Sequence, residues 1–354
     1  MFMRHRIWNV AMMAAVCFPL LSEDRFDSPV MADEAARFLN DMPENIQSRQ
    51  EYAVRQAIAG DTSLLEMVRS SRDIPFDTVA GVTVSGIDGK YRLFSPAGNS
   101  DRLPLLVYLH GGGWCFGSSN SCARFCMSLV SEMPVRVLAV DYPLSPEHSF
   151  PAPLEACIDA LGFVARDADK YGFDIDAVSL GGDSAGGNLA LSAALFMKSR
   201  SGNGDDFTPA MPYGGIPPVH IRSLVLFYPV TKVWNDGSAS WREYCEGYGL
   251  DGGIMEAFNE AYLGAQDATH PLVSPYCASL SQLAQLPPVM MINAGHDILR
   301  DQGRDMCAKM SQAGVEVSHI EFPSATHLFI TVAGQPSAFS EAVKATASFL
   351  RGEK

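Results

Sequence analysis

The chain has 354 residues, 47% of them hydrophobic and 19% charged, so it can bury a large core and is not disordered as a whole. Its 40 acidic side chains outnumber the 26 basic ones, giving a net charge of −14. That balance repels phosphate backbones and anionic lipid, and so disfavours a nucleic-acid or membrane-surface binder. The eight cysteines (17, 115, 122, 126, 157, 245, 277 and 307) contain no Cys-x-x-Cys pair and no zinc-type Cys/His spacing. They read as buried thiols rather than a disulfide framework, and no metal site is expected.

Met1–Arg6 carries positive charge through Arg4 and Arg6, and Ile7–Leu21 is apolar except for Asn9, as in the n- and h-regions of a secretory signal. The stretch is short for a bilayer span, so no integral membrane segment is expected. Glu23, Asp24, Arg25 and Asp27 precede the small-residue cleavage candidate at Ala32, which makes processing poor. The other reading takes Met31 as the natural start. It puts the protein in the cytoplasm and stands slightly ahead of export. Lipidation at Cys17 is disfavoured by the bulky Val16 before it.

Residues 31–75 have helical composition, with apolar spacing at Ala36, Leu39, Met42, Val54 and Ile58, and read as an N-terminal helical cap segment. Val82–Val84 and Tyr91–Phe94 flank Asp88-Gly89 and suit an antiparallel hairpin at a sheet edge. From there to residue 354, continuous apolar runs alternate with helical stretches. Leu105–Leu109 precedes a helix at Ala123–Ser131, Val135–Val140 one at Pro153–Tyr171, and Val178–Leu180 one at Ala185–Lys198. Leu224–Tyr228 is followed by a long irregular segment. Val289–Asn293 precedes a helix at Gly303–Ala313, and Val317–Phe322 one at Ala338–Leu350. Runs of this kind predict an α/β fold, a mostly parallel sheet of about eight strands covered by helices on both faces. Two interruptions stand out: a Gly/Pro-rich polar loop over Ser199–His220, and a helical insertion around 232–267 that suits a pocket wall or cap.

Gly182-Asp183-Ser184-Ala185-Gly186 is the only G-x-S-x-G in the chain. The motif is weak alone, but here it follows a strand and opens a helix, the geometry that exposes a serine hydroxyl on a sharp turn. The plainer reading is that Asp183 or Ser184 caps that helix. His110-Gly111-Gly112-Gly113-Trp114 directly follows another strand. Three glycines there are destabilising unless backbone must come close to something, and an acyl-transfer enzyme needs N–H groups aimed at an oxyanion. Gly111, Gly112 and Ala185 are the expected donors. A phosphate loop would need a Lys-Ser/Thr or GxGxxG continuation, which is lacking.

Serine needs a base, and the base needs a carboxylate to orient it. Asp297 follows one late strand and His327 follows the last, in the chain order Ser, Asp, His. His319 lies inside a strand, His296 is a partner only in an unusual loop, and Asp301 reads as the cap of the next helix. Trp114 and Phe116 beside the glycine loop are candidates for the substrate pocket, and equally for packing.

These segments resemble the hormone-sensitive-lipase-like branch of the α/β-hydrolase family, which includes bacterial acetyl esterases. The resemblance covers about residues 75–350. It rests on HGGGW at 110–114, GDSAGG at 182–187 and the run from Asp141 to His148 with Phe150-Pro151-Ala152. Asp297-Ile298-Leu299-Arg300-Asp301 and the His-x-Phe at 327–329 complete it. It implies the triad Ser184, Asp297 and His327, an oxyanion loop, a helical cap, no cofactor and a small acyl ester as partner. A homodimer through the last strand and helix is a further suggestion. The family usually has Pro where Ile298 stands and Gly where Leu328 stands, and its Tyr-Arg-Leu-Ala-Pro reads Tyr142-Pro143-Leu144-Ser145-Pro146 here. Leu328 bears on substrate preference more than on activity, and Asp141 and Glu147 read as structural. The expected function is a serine carboxylesterase for short-chain acyl esters. An amidase or deacylase with the same triad is the alternative, ahead of a non-catalytic receptor of the same fold.

Overall fold

The computed structural model describes residues 30–199 and 219–353. The signal-like segment over residues 1–29, with Cys17, and most of the Ser199–His220 loop lie outside the described residues.

The apolar runs become the strands of one eight-stranded sheet: β1 (Val82–Ile87), β2 (Tyr91–Pro96), β3 (Leu103–Leu109), β4 (Arg136–Val140), β5 (Phe173–Asp183), β6 (Ile221–Phe227), β7 (Val289–His296) and β8 (Val317–Thr326). Their order across the sheet is β1-β2-β4-β3-β5-β6-β7-β8. The hairpin β1–β2 is antiparallel and joins β4 antiparallel, while every other pair is parallel. Every residue of β4 and β7 is buried, as strands covered on both faces require.

Several strands run further than the sequence suggested. β5 continues through Gly181 and Gly182 to Asp183 because it is paired on both sides, Gly182 lying opposite Leu109 in β3 and Leu226 in β6. β8 continues past Pro323 to Thr326. It is an edge strand paired only with β7, so a proline there can be placed without breaking a second ladder.

The helices that follow these strands are α4 (Ala123–Glu132), α5 (Ala152–Tyr171), α6 (Ala185–Ser199), α10 (Arg300–Gln312) and α11 (Pro336–Arg351). α6 is buried on all sides from Ala185 to Met197, which explains why it is built of Ala, Gly, Ser and Leu rather than an amphipathic mixture. Ahead of the sheet stand α1 (Asp33–Asp41), α2 (Ile46–Ile58) and α3 (Ser63–Arg72). Between β6 and β7 come α7 (Ala239–Glu243), α8 (Gly252–Leu263) and the short α9 (Leu280–Leu283).

α2 packs on α8: Gln47 Nε2 donates to Gly249 O at 2.9 Å, and Arg55 pairs with Glu260 at 3.2 Å. The N-terminal helices are also tied to the end of the chain, since Ala32 N donates to Ser324 O at 3.0 Å and Glu34 accepts from Ser337 N at 3.1 Å. The seven cysteines among the described residues are all free thiols, and burial pushes the Cys307 thiol up to about 12.

Candidate active site

Four strands stop immediately before a residue of interest: β3 before His110, β5 before Ser184, β7 before Asp297 and β8 before His327. Parallel strands share a carboxyl-terminal edge, so residues far apart along the chain meet on one rim.

Ser184 takes φ +54°, the left-handed region that is costly for a side chain. Such strain, of about 1–3 kcal/mol, persists only where the surroundings over-determine it. Here three backbone bonds do so: Ser184 N donates to Phe227 O at 2.9 Å, and Ser184 O accepts from Asn188 N at 3.1 Å and Val230 N at 3.2 Å. The flanking glycines allow the close fit. A Cβ on Gly186 would collide with the Leu109 carbonyl, and one on Gly182 with Gly186 and the same carbonyl.

His327 Nδ1 lies 2.6 Å from Asp297 Oδ2, and its Nε2 lies 3.2 Å from Ser184 Oγ. With the carboxylate as acceptor, Nδ1 carries the proton and the Nε2 lone pair faces the hydroxyl. Asp297 Oδ1 is fixed by Leu299 N at 2.9 Å. His327 and Asp297 are each 1% exposed and Ser184 is 6% exposed, so the three meet in a water-poor pocket. The Tyr228 ring lies 4.3 Å from the imidazole and limits its tilt.

The glycine loop departs from expectation at one residue. Gly111 N donates to Asp183 Oδ1 at 3.1 Å, so it is not available to an oxyanion. The N–H groups of Gly112, Gly113 and Ala185 donate to no protein acceptor among the described residues. The free backbone donors in this loop are therefore Gly112 and Gly113, and the expected pair of Gly111 and Gly112 is not free together. Gly112 holds φ +117°, and a Cβ there would collide with the Phe116 backbone.

Asp183 does not cap the helix. Its buried carboxylate accepts from Gly111 N, from Tyr108 Oη at 3.0 Å and from Thr331 Oγ1 at 2.7 Å. Burial raises its pKa, and these donors offset only part of that cost. His110 is buried beside it, stacked on Tyr142 at 4.2 Å, and burial lowers its pKa toward the neutral form.

Trp114 and Phe116 are 0% and 1% exposed. Trp114 stacks on Tyr262 of α8 at 4.1 Å, and Phe116 meets Phe258 of the same helix edge-on at 5.4 Å. Both side chains thus join the glycine loop to α8 rather than standing in an open pocket.

Other residues fall into structural roles. Asp301 sits in the first turn of α10 but makes no cap; it accepts from Ser240 N at 2.8 Å and Arg300 Nε at 2.9 Å, binding the α7 segment to α10. His296 stacks against Tyr248, and His319 shares a hydrogen bond with Asn293. Glu147 pairs with Arg69, and Asp141 accepts from Ser119. The contributions of Asp183, Gly113, Tyr228 and Thr331 were not visible in the sequence. Of these only Gly113 carried a signal, as the third glycine of its run.

A family model described as alpha/beta hydrolase fold matches residues 106–331. Among curated proteins, the chain is 28% identical to carboxylesterase NlhH of Mycobacterium tuberculosis, over 82% of this chain and 84% of that one. It is 30% identical to an ethyl acetate hydrolase of Pseudomonas putida, over 75% of this chain and 79% of that one. Among solved structures, a thermostable esterase from Pseudomonas putida ECU1011 superposes with a TM-score of 0.72 at 26% identity, covering 91% of this chain and 96% of that one.

Proposed function

The chain belongs to the alpha/beta hydrolase fold family and is a carboxylic ester hydrolase; from that premise we propose that it cleaves short-chain acyl esters through Ser184, His327 and Asp297. The observation that carries the mechanism is the continuous line from Asp297 Oδ2 through the imidazole to Ser184 Oγ, with contacts of 2.6 and 3.2 Å.

Ser184 Oγ attacks the acyl carbon while His327 Nε2 takes its proton. The tetrahedral oxyanion is held by the N–H groups of Gly112, Gly113 and Ala185, the last at the amino terminus of α6, where the helix dipole adds to the hydrogen bonds. His327 returns the proton to the leaving alcohol, and Asp297 stabilises the imidazolium formed on the way. Water then attacks the acyl-serine by the same route.

The short-chain reading is supported by the aromatic filling around the glycine loop. A Cβ on Gly113 would collide with the Phe258 ring, and Trp114 and Phe116 already occupy the space beside it. Helices α1–α3 together with α7 and α8 are the proposed cap. Ser184→Ala is expected to remove steady-state ester turnover, by about a millionfold in kcat, with the fold intact. Full activity in that variant would end the proposal. A kcat/KM series from acetate to decanoate esters tests the chain length, and a maximum at the long end would overturn the short-chain part.

A further inference from the structure

A cavity of about 820 Å³ lies between the N-terminal helices and the loop that follows His327, with Leu328 and Thr331 in its wall. Its lining is largely apolar, including Phe38, Met42 and Phe76, yet it contains three arginines and no Asp or Glu. In a chain of net charge −14 that local balance is the reverse of the whole.

Two of the arginines are desolvated without an opposing charge. The Arg72 guanidinium makes no hydrogen bond or ion pair among the described residues, and it lies over the Phe116 ring at 5.2 Å, beside the glycine loop. Burial lowers its pKa, and no carboxylate counters the effect. Arg124 lies over the Phe339 ring at 3.5 Å and reaches only the Val332 carbonyl at 3.5 Å, and its pKa is likewise lowered by burial alone. The third, Arg49, sits on the exposed rim and donates to Glu44 O. The neighbouring carboxylate, Asp73, accepts from Ser118 and Asn120. A half-buried guanidinium with no carboxylate partner carries an unmet desolvation cost, which an anionic ligand would offset.

We propose that the physiological ester carries a carboxylate, which the Arg72 and Arg124 guanidiniums receive in this cavity while the ester group reaches Ser184. The inference rests on the ester-hydrolase reading and names its substrate class. The apolar walls hold the carbon skeleton between the two ends. The planar guanidinium fork suits a carboxylate acceptor better than an ammonium would.

The test compares matched pairs of esters: 4-nitrophenyl hemiglutarate against 4-nitrophenyl pentanoate for a carboxylate on the acyl side, and 4-acetoxybenzoate against its methyl ester for one on the alcohol side. In one of the two pairs the charged ester is expected to have a kcat/KM at least about tenfold above its neutral partner. Arg72→Gln and Arg124→Gln should each lower that ratio about tenfold, whereas Arg72→Lys, which keeps the charge and loses the fork, should lower it less. A role in packing alone would lower both members equally.

Binding to Ser184→Ala by calorimetry separates recognition from turnover: phenylacetate should bind more tightly than phenylacetamide, and Arg72→Gln in that background should erase the difference. Equal kcat/KM within both pairs, or a charged-to-neutral ratio unmoved in both Gln variants, overturns the proposal. So does equal affinity for the two probes. Absence of all ester turnover with selective phenylacetate binding would instead reject the hydrolase reading and leave the anion site standing.

Discussion

Thr331 Oγ1 donates to the Asp183 carboxylate across 2.7 Å, linking the loop that carries His327 to the residue preceding Ser184. The same carboxylate holds Gly111 N, so one buried group sets the His327 loop, the Ser184 turn and the glycine loop relative to one another. Removing the hydroxyl leaves a buried carboxylate short of one donor.

Thr331→Val is therefore expected to lower kcat about tenfold, the equivalent of one lost hydrogen bond of about 1.4 kcal/mol, with KM changed much less. Thr331→Ser should restore most of the rate. Steady-state kinetics on a neutral ester, with near-ultraviolet circular dichroism to verify the fold, checks this. Equal loss in the serine variant would show that the methyl group, not the hydroxyl, matters.

Asp297 Oδ2 accepts the Nδ1–H of His327 and so leaves Nε2 as the acceptor facing Ser184 Oγ. Asp297→Asn should cost about 10⁴-fold in kcat by favouring the wrong tautomer. Steady-state kinetics on an acetate ester checks this, and an undiminished kcat would remove Asp297 as the group that orients His327.

Leu328 holds φ +71°, a conformation in which a leucine costs about 1 kcal/mol, and its side chain faces the cavity wall. Leu328→Gly relieves that strain but gives the unfolded chain more freedom, and the two effects are of similar size, so Tm should change little. The opened wall should raise the ratio of decanoate to acetate kcat/KM. Leu328→Ala keeps the strained backbone while losing contacts, and should melt lower than Leu328→Gly. Scanning calorimetry and the ester series read both effects.

The α7 segment is attached to α10 through Asp301. Burial alone would raise its pKa, but the Arg300 guanidinium, Ser240 N and the Arg304 charge hold it below the usual carboxylate range. A lowered folded value means that the carboxylate stabilises the fold fully above the unfolded value of about 3.9, and that this is lost as pH falls through the lower folded value. Asp301→Asn should therefore cost about 2 kcal/mol at pH 7, with the difference from the parent shrinking below pH 4. Urea unfolding at the two pH values measures it. A difference independent of pH would mean that shape, not charge, is what Asp301 supplies.

The parallel sheet and its edge hairpin were legible because buried strands and an Asp-Gly turn leave a local composition signal. That Ser184, Asp297 and His327 meet was legible because each follows an apolar run in a fixed chain order. Strand ends were not, since Gly181, Gly182 and Pro323 read locally as breakers, and only pairing with neighbours distant in sequence keeps them in the sheet. That Gly111 N is not free was hidden for the same reason: what occupies it is a carboxylate 72 residues away. Trp114 and Phe116 are aromatic residues next to a site, and only the position of α8 shows that they pack against it. Asp301 stands where a cap would stand, but its acceptors turn toward Ser240.

The pairing of α2 with α8 joins residues such as Arg55 and Glu260 that are separated by 205 positions. A ribosome adding about 5–20 residues each second makes the first of these helices roughly 10–40 seconds before the second exists. Through that interval α2 can pack on α3, but the face that meets α8 is uncovered. Docking of this face is therefore a late event in synthesis, closed only when α8 emerges.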